Sequence, residues 1–418
     1  MKVLWFSLSP GLSSAHLNNN YKGCGWIKAL EKNIQDKVEL SIVFYHDTLV
    51  KPFMLGPTRY FPVNRYKHGK LTKIKRRLLN GIEDEQDVET FAKIVKEVNP
   101  DILHIHGTEG PFGLVQKLVN VPAVVSIQGT ITVYRYKYFS TISHLDTLRF
   151  SKLKDILLSR SFINVYTQFA KMAAREQEIY AHSEHFIGRT AWDRRVTSVL
   201  APAAKYYHND EILQEPFYKY QWSNKLSAKL ILFTTNGPNI YKGIETLVDC
   251  AYLLDRIKVD YEWRVAGLHK NDEVVKIAAK SIGKAVSNNI NFLGKLNDGQ
   301  LAQALLKANI YVAVSHIENS PNSLCEAQIL GVPCIATHAG GTNTLLEDGE
   351  DGILIQDGDP YSMAGAIIEM KNNFDKAIVY GENGRKKALK RHDPEKITND
   401  LLGIYNTILN SKEGQYAK

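Results

Sequence analysis

The stretch that decides the fold is residues 310–341, IYVAVSHIENSPNSLCEAQILGVPCIATHAGG. It begins with an apolar run typical of a buried strand, passes through a polar loop, and enters a segment that predicts a helix. Ser320 is a favourable N-cap, Pro321 a favourable first helical residue, and Gly331 stands where a helix end favours glycine. A second apolar run, Pro333–Thr337, follows. This order of strand, helix and strand predicts one βαβ unit of a parallel sheet.

The predicted start of this helix suggests an anion-binding site. The backbone N–H groups of Asn322, Ser323 and Leu324 would be free, and the positive end of a helix favours an anion such as phosphate. Glu318 lies on the loop before the helix and Glu326 in its second turn, with seven residues between them. Both carboxylates could therefore face one ligand, with its phosphate between them.

Strands and helices alternate along the rest of the chain, which predicts an α/β protein with doubly wound parallel sheets. A polar stretch without clear periodicity, residues 218–228, predicts a boundary. We therefore expect two Rossmann-like domains, residues 1–217 and residues 218–393, facing a cleft. Ligands of open parallel sheets bind beyond the carboxyl ends of the strands, so the site is expected between the domains.

Composition restricts the class of protein. Hydrophobic residues make up 44% and charged residues 23% of the 418, which rules out wholesale disorder. No apolar run approaches the ~18–20 residues that span a bilayer. The four cysteines are far apart with no CxxC pair, which favours reduced thiols over a disulfide or a zinc site. They are Cys24, Cys250, Cys325 and Cys334.

The positive charge lies in the first half of the chain. Residues 1–215 hold 29 Lys and Arg against 21 Asp and Glu, whereas residues 216–418 hold 23 of each. The densest basic run is Arg65–Arg77, with seven Lys and Arg. Such a run is either a solvated face or a surface for an anionic membrane or a lipid-diphosphate acceptor. Nucleic acid is disfavoured as a partner because no groove-reading or aromatic-interleaved motif accompanies the run.

Several motifs together give the chain a resemblance to a known family. They are the E-x7-E spacing of Glu318 and Glu326, the following Ala327–Thr337 segment, Gly340-Gly341, Tyr241-Lys242-Gly243, Asn291–Lys295, Asp348-Gly349 with Gly352–Leu354, Gly23–Trp26, and Pro100–Gly107. With these motifs the chain resembles glycosyltransferase family 4, the glycosyl transferases group 1, which has the GT-B fold. The likeness covers most of the chain and is strongest over residues 231–355. It implies that residues 394–418 form a helix returning to the first domain.

The resemblance also implies roles for individual residues. Glu318 would contact the donor sugar and stabilise the transferring centre, Lys242 would hold the diphosphate, and Glu326 would accept hydrogen bonds from the ribose hydroxyls. Further donor-binding residues would be Asn236, Gly25, Gly294, Lys295, Ser320, Asn322, Ser323 and Leu324. The acceptor would contact Gln128, His106 and Arg189.

Three of these assignments have a plain structural alternative. His104 and His106 lie on one face of a strand, and one of the two could instead be a satisfied core histidine. Arg189 could form a structural ion pair with Asp193. Gly25 could simply serve a turn.

The reaction implied is that of a retaining, metal-independent hexosyltransferase. It would move a sugar from a nucleotide diphosphate-sugar, with no other cofactor, to a glycan or lipid-linked acceptor. Bacterial surface polysaccharide biosynthesis is the expected setting. The expected location is the cytoplasm, with peripheral association at the inner face of the membrane as an option.

The sequence departs from the family pattern at three positions. Gln128 stands where many members have a histidine, Asn236 lies near the place of an arginine, and Thr344 replaces a common glutamate. Glutamine cannot take up a proton at neutral pH. Two alternatives therefore stay open: a catalytically silent scaffold that binds nucleotide-sugars, and a GT-B-fold epimerase acting on a UDP-sugar.

Overall fold

The computed structural model describes residues 1–17, 25–64, 81–82, 85–223, 225–226 and 229–416. Residues 23 and 24 and the basic run Arg65–Arg77 therefore lie outside the described residues. The chain divides into two units. Unit 1 comprises Met1–Thr132, Thr167–Ile212 and His392–Lys418, and unit 2 comprises Val133–Tyr166 and Leu213–Arg391.

Unit 1 is built on a sheet whose described part has eight strands in the order β3-β4-β2-β1-β5-β6-β7-β8. All neighbouring strands are parallel except β3 and β4, which are antiparallel at one edge. The central strands are nearly continuous apolar runs, as expected for parallel strands covered on both faces. The strands are β1 (Lys2–Ser7), β2 (Glu39–His46), β3 (Phe53–Leu55), β4 (Thr58–Asn64), β5 (Ile102–His106), β6 (Ala123–Ser126), β7 (His185–Gly188) and β8 (Lys205–His208).

The described part of unit 2 has six strands, all parallel, in the order β11-β10-β9-β12-β13-β14. This is the strand order of a doubly wound nucleotide-binding fold, in which the chain reverses direction across the sheet between β9 and β12. The strands are β9 (Leu230–Thr235), β10 (Tyr261–Ala266), β11 (Ile290–Gly294), β12 (Ile310–Ala313), β13 (Cys334–Thr337) and β14 (Ile353–Ile355). The predicted pair of Rossmann-like parallel sheets is confirmed.

Helices connect the strands in both units, and none in the described part of the chain is long and apolar enough to cross a membrane. Those that lie wholly or mostly in unit 1 are α1 (Gly25–Ile34), α2 (Glu85–Val98), α6 (Phe162–Ala181), α7 (Ala191–Leu200) and α16 (Pro394–Tyr416). Those of unit 2 are α3 (Ile131–Lys137), α4 (His144–Phe150), α5 (Leu153–Leu157), α8 (Glu215–Lys219), α9 (Ile244–Arg256), α10 (Glu273–Ser281), α11 (Asp298–Leu306), α12 (Asn322–Leu330), α13 (Thr342–Leu345), α14 (Pro360–Asn372) and α15 (Phe374–Arg391).

The two units differ from the predicted domains in one substantial way. Val133–Tyr166, predicted to belong to residues 1–217, groups with unit 2. The physical reason is side-chain packing: the Tyr134 ring lies 5.5 Å from the Tyr241 ring, and Thr141 Oγ1 donates to Glu245 Oε1 at 2.6 Å. The remaining boundaries, at 212/213 and 391/392, lie within about five residues of the predicted ones.

A buried polar chain ties the C-terminal helix to the sheet of unit 1. Trp5 Nε1 donates to Tyr405 Oη at 3.1 Å, and the same hydroxyl lies 2.6 Å from His104 Nδ1. The other ring nitrogen of His104 lies 2.6 Å from Ser126 Oγ. Tyr405 and His104 are almost completely buried. His104 is therefore a satisfied core histidine that joins β1, β5, β6 and α16.

We expect Tyr405→Phe to destabilise the protein by about 1–3 kcal/mol, because it leaves the Trp5 N–H and one His104 nitrogen buried without a partner. Urea unfolding followed by tryptophan fluorescence measures this. The control is Tyr361→Phe, at a tyrosine that is 70% exposed, where we expect a change within about 0.5 kcal/mol. Equal stability of the two variants would contradict the structural role of this hydroxyl.

Candidate active site

The candidate site of unit 2 lies where strand order reverses. Strands β9 and β12 are neighbours, with Tyr311 paired to Phe233. The loop after β9 and the loop after β12 therefore emerge side by side at the carboxyl ends of adjacent strands. Ligands of open α/β sheets bind at such switch points. The first loop carries Lys242 and the second carries Glu318, so topology alone brings these distant residues together.

Lys242 and Glu318 form an ion pair between Lys242 Nζ and Glu318 Oε1. Ser315 Oγ donates to the same carboxylate oxygen at 2.8 Å. The two charged side chains are 27% and 13% exposed, so the pair can still be reached from solvent. Burial works against the charge of Lys242, but the adjacent Glu318 carboxylate prevails and raises the pKa of the lysine. The structure thus brings together the two residues predicted to be catalytic and favours the charged form of Lys242.

Backbone geometry places Lys242 at the end of a short 3-10 turn, Ile240–Lys242. Gly243 follows with φ of +72°, and a Cβ there would lie 1.9 Å from the Val314 carbonyl oxygen. Only glycine fits so close to the neighbouring loop. Asn236 Nδ2 donates to the Lys242 carbonyl at 2.9 Å. Asn236, predicted to bind the donor, therefore also holds the lysine turn in place.

A second glycine fixes the backbone at Glu318. Gly341 N–H donates to the Glu318 carbonyl at 2.9 Å. Gly340 has φ of +59°, and a Cβ there would lie 2.1 Å from the same carbonyl oxygen. Glycine is thus required at Gly340 by the close approach of the loop that carries Glu318.

The start of α12 differs by one residue from the prediction. Pro321 is the N-cap and Asn322 the first helical residue, and Ser320 makes no capping hydrogen bond. Leu324 N–H donates to the Pro321 carbonyl at 3.0 Å, so it is not free as expected. The N–H groups of Asn322 and Ser323 precede the first hydrogen-bonded turn and remain suited to an anion. Proline takes the cap position because its fixed φ fits extended backbone as well as helix.

Glu326 lies in the second turn of α12 and is half-buried. Burial, assisted by the charge of Asp298, raises the pKa of its carboxyl to about 8. No residue of the described chain donates a hydrogen bond to it. A carboxyl held in this state is a candidate for polar groups of a ligand rather than for a structural bond.

The base-binding segment predicted at Gly294 and Lys295 follows β11. Gly294 has φ of +66°, and a Cβ there would lie 2.3 Å from His269 Cε1. Its N–H donates to the Leu268 carbonyl at 3.0 Å, which holds the loops after β10 and β11 together. Lys295 is exposed just beyond.

A buried charge cluster beside this site had no signal in the sequence. His316, which is 1% exposed, contacts Glu245 Oε1 through Nε2 and lies 3.4 Å from Asp357 Oδ2 through Nδ1. Lys137 Nζ pairs with the same Asp357 oxygen at 3.1 Å. These four residues come from separate parts of the chain, so no local pattern could reveal them. Thr141, which donates to Glu245, completes the cluster.

The cluster fixes the loop that carries Glu318. Burial disfavours the protonated form of His316, but its bonds to Asp357 and Glu245 prevail and raise its pKa to about 9. The backbone N–H of His316 donates to the Tyr241 carbonyl at 2.8 Å. The backbone of His316 thus holds the loop of Glu318 against the turn of Lys242, while its ring contacts Glu245 and Asp357.

Unit 1 gathers the three residues predicted to bind acceptor around a small cavity of about 30 Å³. Arg189 is buried and pairs with Glu211 Oε1 at 2.5 Å, and its Nη2 lies 3.4 Å from Gln128 Oε1. Asp193 accepts from the Arg189 backbone N–H at 2.9 Å and caps α7. The Arg189 guanidinium pairs with Glu211, so the side chain takes part in a structural ion pair.

His106 lines the same cavity and is 4% exposed. Both of its ring nitrogens are buried without a hydrogen-bond partner among the described residues. Its ring packs edge-on against Trp5 at 4.7 Å and Trp26 at 5.3 Å. Burial and the neighbouring His104 hold its pKa well below the usual value, so it is neutral. Gly25, predicted to contact the donor, begins α1 one residue before Trp26.

Sequence reasoning also missed Glu109, on the loop after β5. Its Oε1 accepts from Gly129 N–H at 2.8 Å, which places the carboxyl beside Gln128. Burial raises the pKa of Glu109 to about 7, so this carboxyl can change its charge near neutral pH. The one sequence signal for Glu109 was its position two residues after the Pro100–Gly107 motif.

Comparison with known proteins gives a family for unit 2. Residues 219–387 match the family described as "Glycosyl transferases group 1". Those residues belong to that family, and they contain Lys242, Glu318 and Glu326. The predicted resemblance is confirmed for this part of the chain.

Two curated relatives illustrate the range of similarity. The capsular polysaccharide biosynthesis glycosyltransferase CapM of Staphylococcus aureus is 33% identical over 107 residues, which is 26% of this chain and 28% of that protein. The N-acetyl-alpha-D-glucosaminyl L-malate synthase of Bacillus anthracis is 23% identical over 329 residues, 76% of this chain and 78% of that protein. The chain thus spans little more than a quarter of the first relative and over three quarters of the second.

Solved structures establish the fold. Sucrose-phosphate synthase from Thermosynechococcus elongatus superposes with a TM-score of 0.73 at 13% identity, over 98% of this chain and 99% of that one. HepE of Anabaena in complex with UDP-glucose superposes with a TM-score of 0.63 at 16% identity, over 97% and 100%. The fold is GT-B, as predicted.

We expect His316→Gln to lower stability by about 3 kcal/mol at pH 6, because it leaves the buried Glu245 carboxylate without its cation and removes one of the two cations beside Asp357. A histidine whose pKa is raised by folding stabilises fully below its unfolded pKa of about 6.5, and this contribution is lost as the pH rises through about 9. The deficit of the variant should therefore shrink by pH 9.5. Chemical unfolding at both pH values measures it.

The matched control is His208→Gln, whose exposed ring pairs with Asp210 at 3.0 Å. For His208→Gln we expect a loss of stability of less than about 1 kcal/mol. A deficit of His316→Gln that is the same at pH 6 and pH 9.5 would contradict a charged His316.

We expect Glu326→Gln to stabilise the ligand-free protein, with a gain that grows from pH 5 to pH 8. Unfolding lets Glu326 ionise near its ordinary value of 4.5, whereas the folded protein holds the proton up to about pH 8. Folding stability therefore falls across that window, and glutamine removes the loss. A rise in Tm of roughly 2–4 °C at pH 8 is expected. Exposed Glu382→Gln is the control, and a Glu326→Gln gain independent of pH would contradict the raised pKa.

Proposed function

We propose that the chain is a retaining, metal-independent glycosyltransferase of the hexosyltransferase type. It would transfer a sugar from a nucleotide diphosphate-sugar to a glycan or lipid-linked acceptor in bacterial surface polysaccharide biosynthesis. The observation that carries the proposal is the Lys242–Glu318 ion pair at the strand-order reversal of a group 1 glycosyltransferase domain. A relative named for capsular polysaccharide biosynthesis supports the setting, and a neighbour solved with UDP-glucose supports the donor class.

The roles of the residues follow from where charge develops. Transfer breaks the bond between the sugar C1 and the leaving phosphate oxygen and forms a bond from C1 to the acceptor oxygen. The acceptor's proton passes to the departing phosphate. Lys242 Nζ and the N–H groups of Asn322 and Ser323 are the donors suited to the growing negative charge. Lys242 forms an ion pair with Glu318, so a bound diphosphate must share that contact or replace it.

Glu318 and Glu326 would divide the rest of the donor. Glu318 lies beside the ammonium that holds the diphosphate, which is the position from which a carboxylate can reach the sugar being transferred. Glu326, in the second turn of α12, has no hydrogen-bond donor among the described residues and would bind the ribose hydroxyls. In unit 1, Gln128, His106 and Arg189 would contact the acceptor. A cytoplasmic location, with peripheral attachment to the membrane, completes the proposal.

The first test is a thermal-shift screen against UDP, GDP, ADP and their sugars, followed by transfer of radiolabelled sugar to a crude membrane-lipid extract in the presence of EDTA. Transfer that continues in EDTA with retention of anomeric configuration supports the proposal. Nucleotide binding without any turnover would favour a silent scaffold, and conversion of one UDP-sugar to another without acceptor would favour an epimerase.

We expect Lys242→Met to weaken nucleotide diphosphate binding by roughly 10- to 100-fold, the loss typical of a charge-assisted hydrogen bond. Because that change leaves Glu318 without its cation, the double variant Lys242→Met with Glu318→Gln separates lost binding from lost stability. Calorimetry with the best nucleotide of the screen measures the affinity. Lys276→Met, at an exposed lysine of the same unit, is the control. Equal affinity of wild type and both Lys242 variants would refute the diphosphate role.

A further inference from the structure

Residues 143–160 of unit 2 show an unusual exposure of leucine. Leu145 is 77% exposed and Leu148 45%, both on α4, while Leu153 is 71% and Leu157 68% exposed, both on α5. A leucine that is exposed singly needs no explanation, but four within thirteen residues form a patch. We call these four residues the leucine patch.

Helical spacing puts the leucines of each helix on one face. Leu145 and Leu148 are three residues apart, and Leu153 and Leu157 are four apart, so each pair lies on a single face. The opposite side of α4 faces the protein: Thr147 is buried, and Asp146 accepts from Ser281 Oγ at 2.9 Å. Helix α4 therefore turns an apolar face to solvent and a polar one to the unit, and α5 exposes both of its leucines.

Cations surround the leucine patch. Four basic side chains of the segment are exposed: Arg149, Lys152, Lys154 and Arg160. The two acidic residues of the segment, Asp146 and Asp155, are half-buried on the inner side. Burial and the charge of Asp155 raise the pKa of the nearby Glu273, and Lys152, whose side chain is exposed, opposes this rise. The outward surface is thus apolar and positive, while the carboxylates lie beneath it.

We propose that residues 143–160 form a docking surface for an anionic lipid bilayer. Leucines on the outer face of short helices, flanked by Lys and Arg, fit the boundary between headgroups and acyl chains, where the leucines insert and the cations meet lipid phosphates. The cores of protein interfaces, by contrast, are depleted in lysine. This surface rests on the peripheral membrane attachment proposed above, to which it assigns a site, and it does not depend on sugar transfer. It is also distinct from the basic run Arg65–Arg77 predicted from the sequence.

The test is co-sedimentation of the full chain with vesicles of phosphatidylglycerol and phosphatidylcholine, and with vesicles of phosphatidylcholine alone. Wild type should bind the anionic vesicles more tightly. Changing the leucine patch to glutamine should reduce that binding at least roughly tenfold, because the inserted apolar surface is lost. Changing the four cations to glutamine should also reduce it at least roughly tenfold, given about fivefold for each basic residue near the surface.

Matched controls alter the same chemistry elsewhere in the described chain. Leu49, Leu118 and Val199, all exposed, are changed to glutamine in one variant. The other removes four exposed lysines, Lys258, Lys276, Lys386 and Lys390. Each control should keep binding within about twofold of wild type. All variants should retain the wild-type Tm and nucleotide affinity. Their altered side chains are exposed, and none is a residue proposed to bind the nucleotide.

Three outcomes would overturn the docking surface. They are absence of vesicle binding by wild type, unchanged binding by the leucine variant, and concentration-dependent self-association that the leucine variant abolishes without any vesicle binding. The last would assign the face to a second copy of this chain. Loss of vesicle binding by an Arg65–Arg77 variant alone would likewise move the contact to that run. Sugar transfer is measured separately in detergent solution, so failure of the catalytic proposal is distinguishable from failure of this one.

Discussion

The ion pair between Lys242 and Glu318 is the contact on which the site of unit 2 depends. It exists because β9 and β12 are neighbours in the sheet although two strands and their helices separate them in the chain. Removing a charged side chain from water costs free energy unless an opposite charge lies close to it. The pair therefore keeps a lysine charged and positioned where a diphosphate can take over its contact. Ser315 and the backbone at Gly341 hold the carboxylate side, and Asn236 holds the lysine side.

Close approach of two loops is the second constraint, and glycine meets it. Gly243 and Gly340 both have positive φ, and at each the missing Cβ leaves room for a carbonyl of the opposite loop. The two motifs that resemble the family's lysine–glycine and double-glycine segments thus have the same effect. Each allows its own segment to pack closely against the loop after β12. A side chain at Gly243 would push the loop of Lys242 away from the loop of Glu318, and a side chain at Gly340 would clash with the Glu318 carbonyl.

The charge cluster at His316 extends this arrangement to Val133–Tyr166. Lys137 and Thr141 of that segment reach Asp357 and Glu245, which hold the imidazolium two residues from Glu318. A segment predicted to belong to the first domain thereby contributes to the surroundings of the candidate active site. The same segment carries the leucine patch on its outer side. The residues that support the site and those that face solvent are thus adjacent in one short stretch of chain.

The sequence by itself determined the two parallel sheets and the strand–loop–helix at Glu318, because hydrophobic periodicity, helix-end signals and glycine placement are local properties. The roles expected of Lys242 and Glu326 came from the resemblance to the family. It located the helix start at Pro321 to within one residue, since proline is compatible with both the cap and the first turn. Only the tertiary structure decided the partner of Arg189, the membership of Val133–Tyr166, the cluster around His316 and the exposure of the leucine patch. Each depends on which side chains meet across elements far apart in the chain, and burial together with neighbouring charges sets the protonation of the titratable groups. Glu326 and His316 show this most directly: desolvation holds a proton on one, and two carboxylates hold a proton on the other.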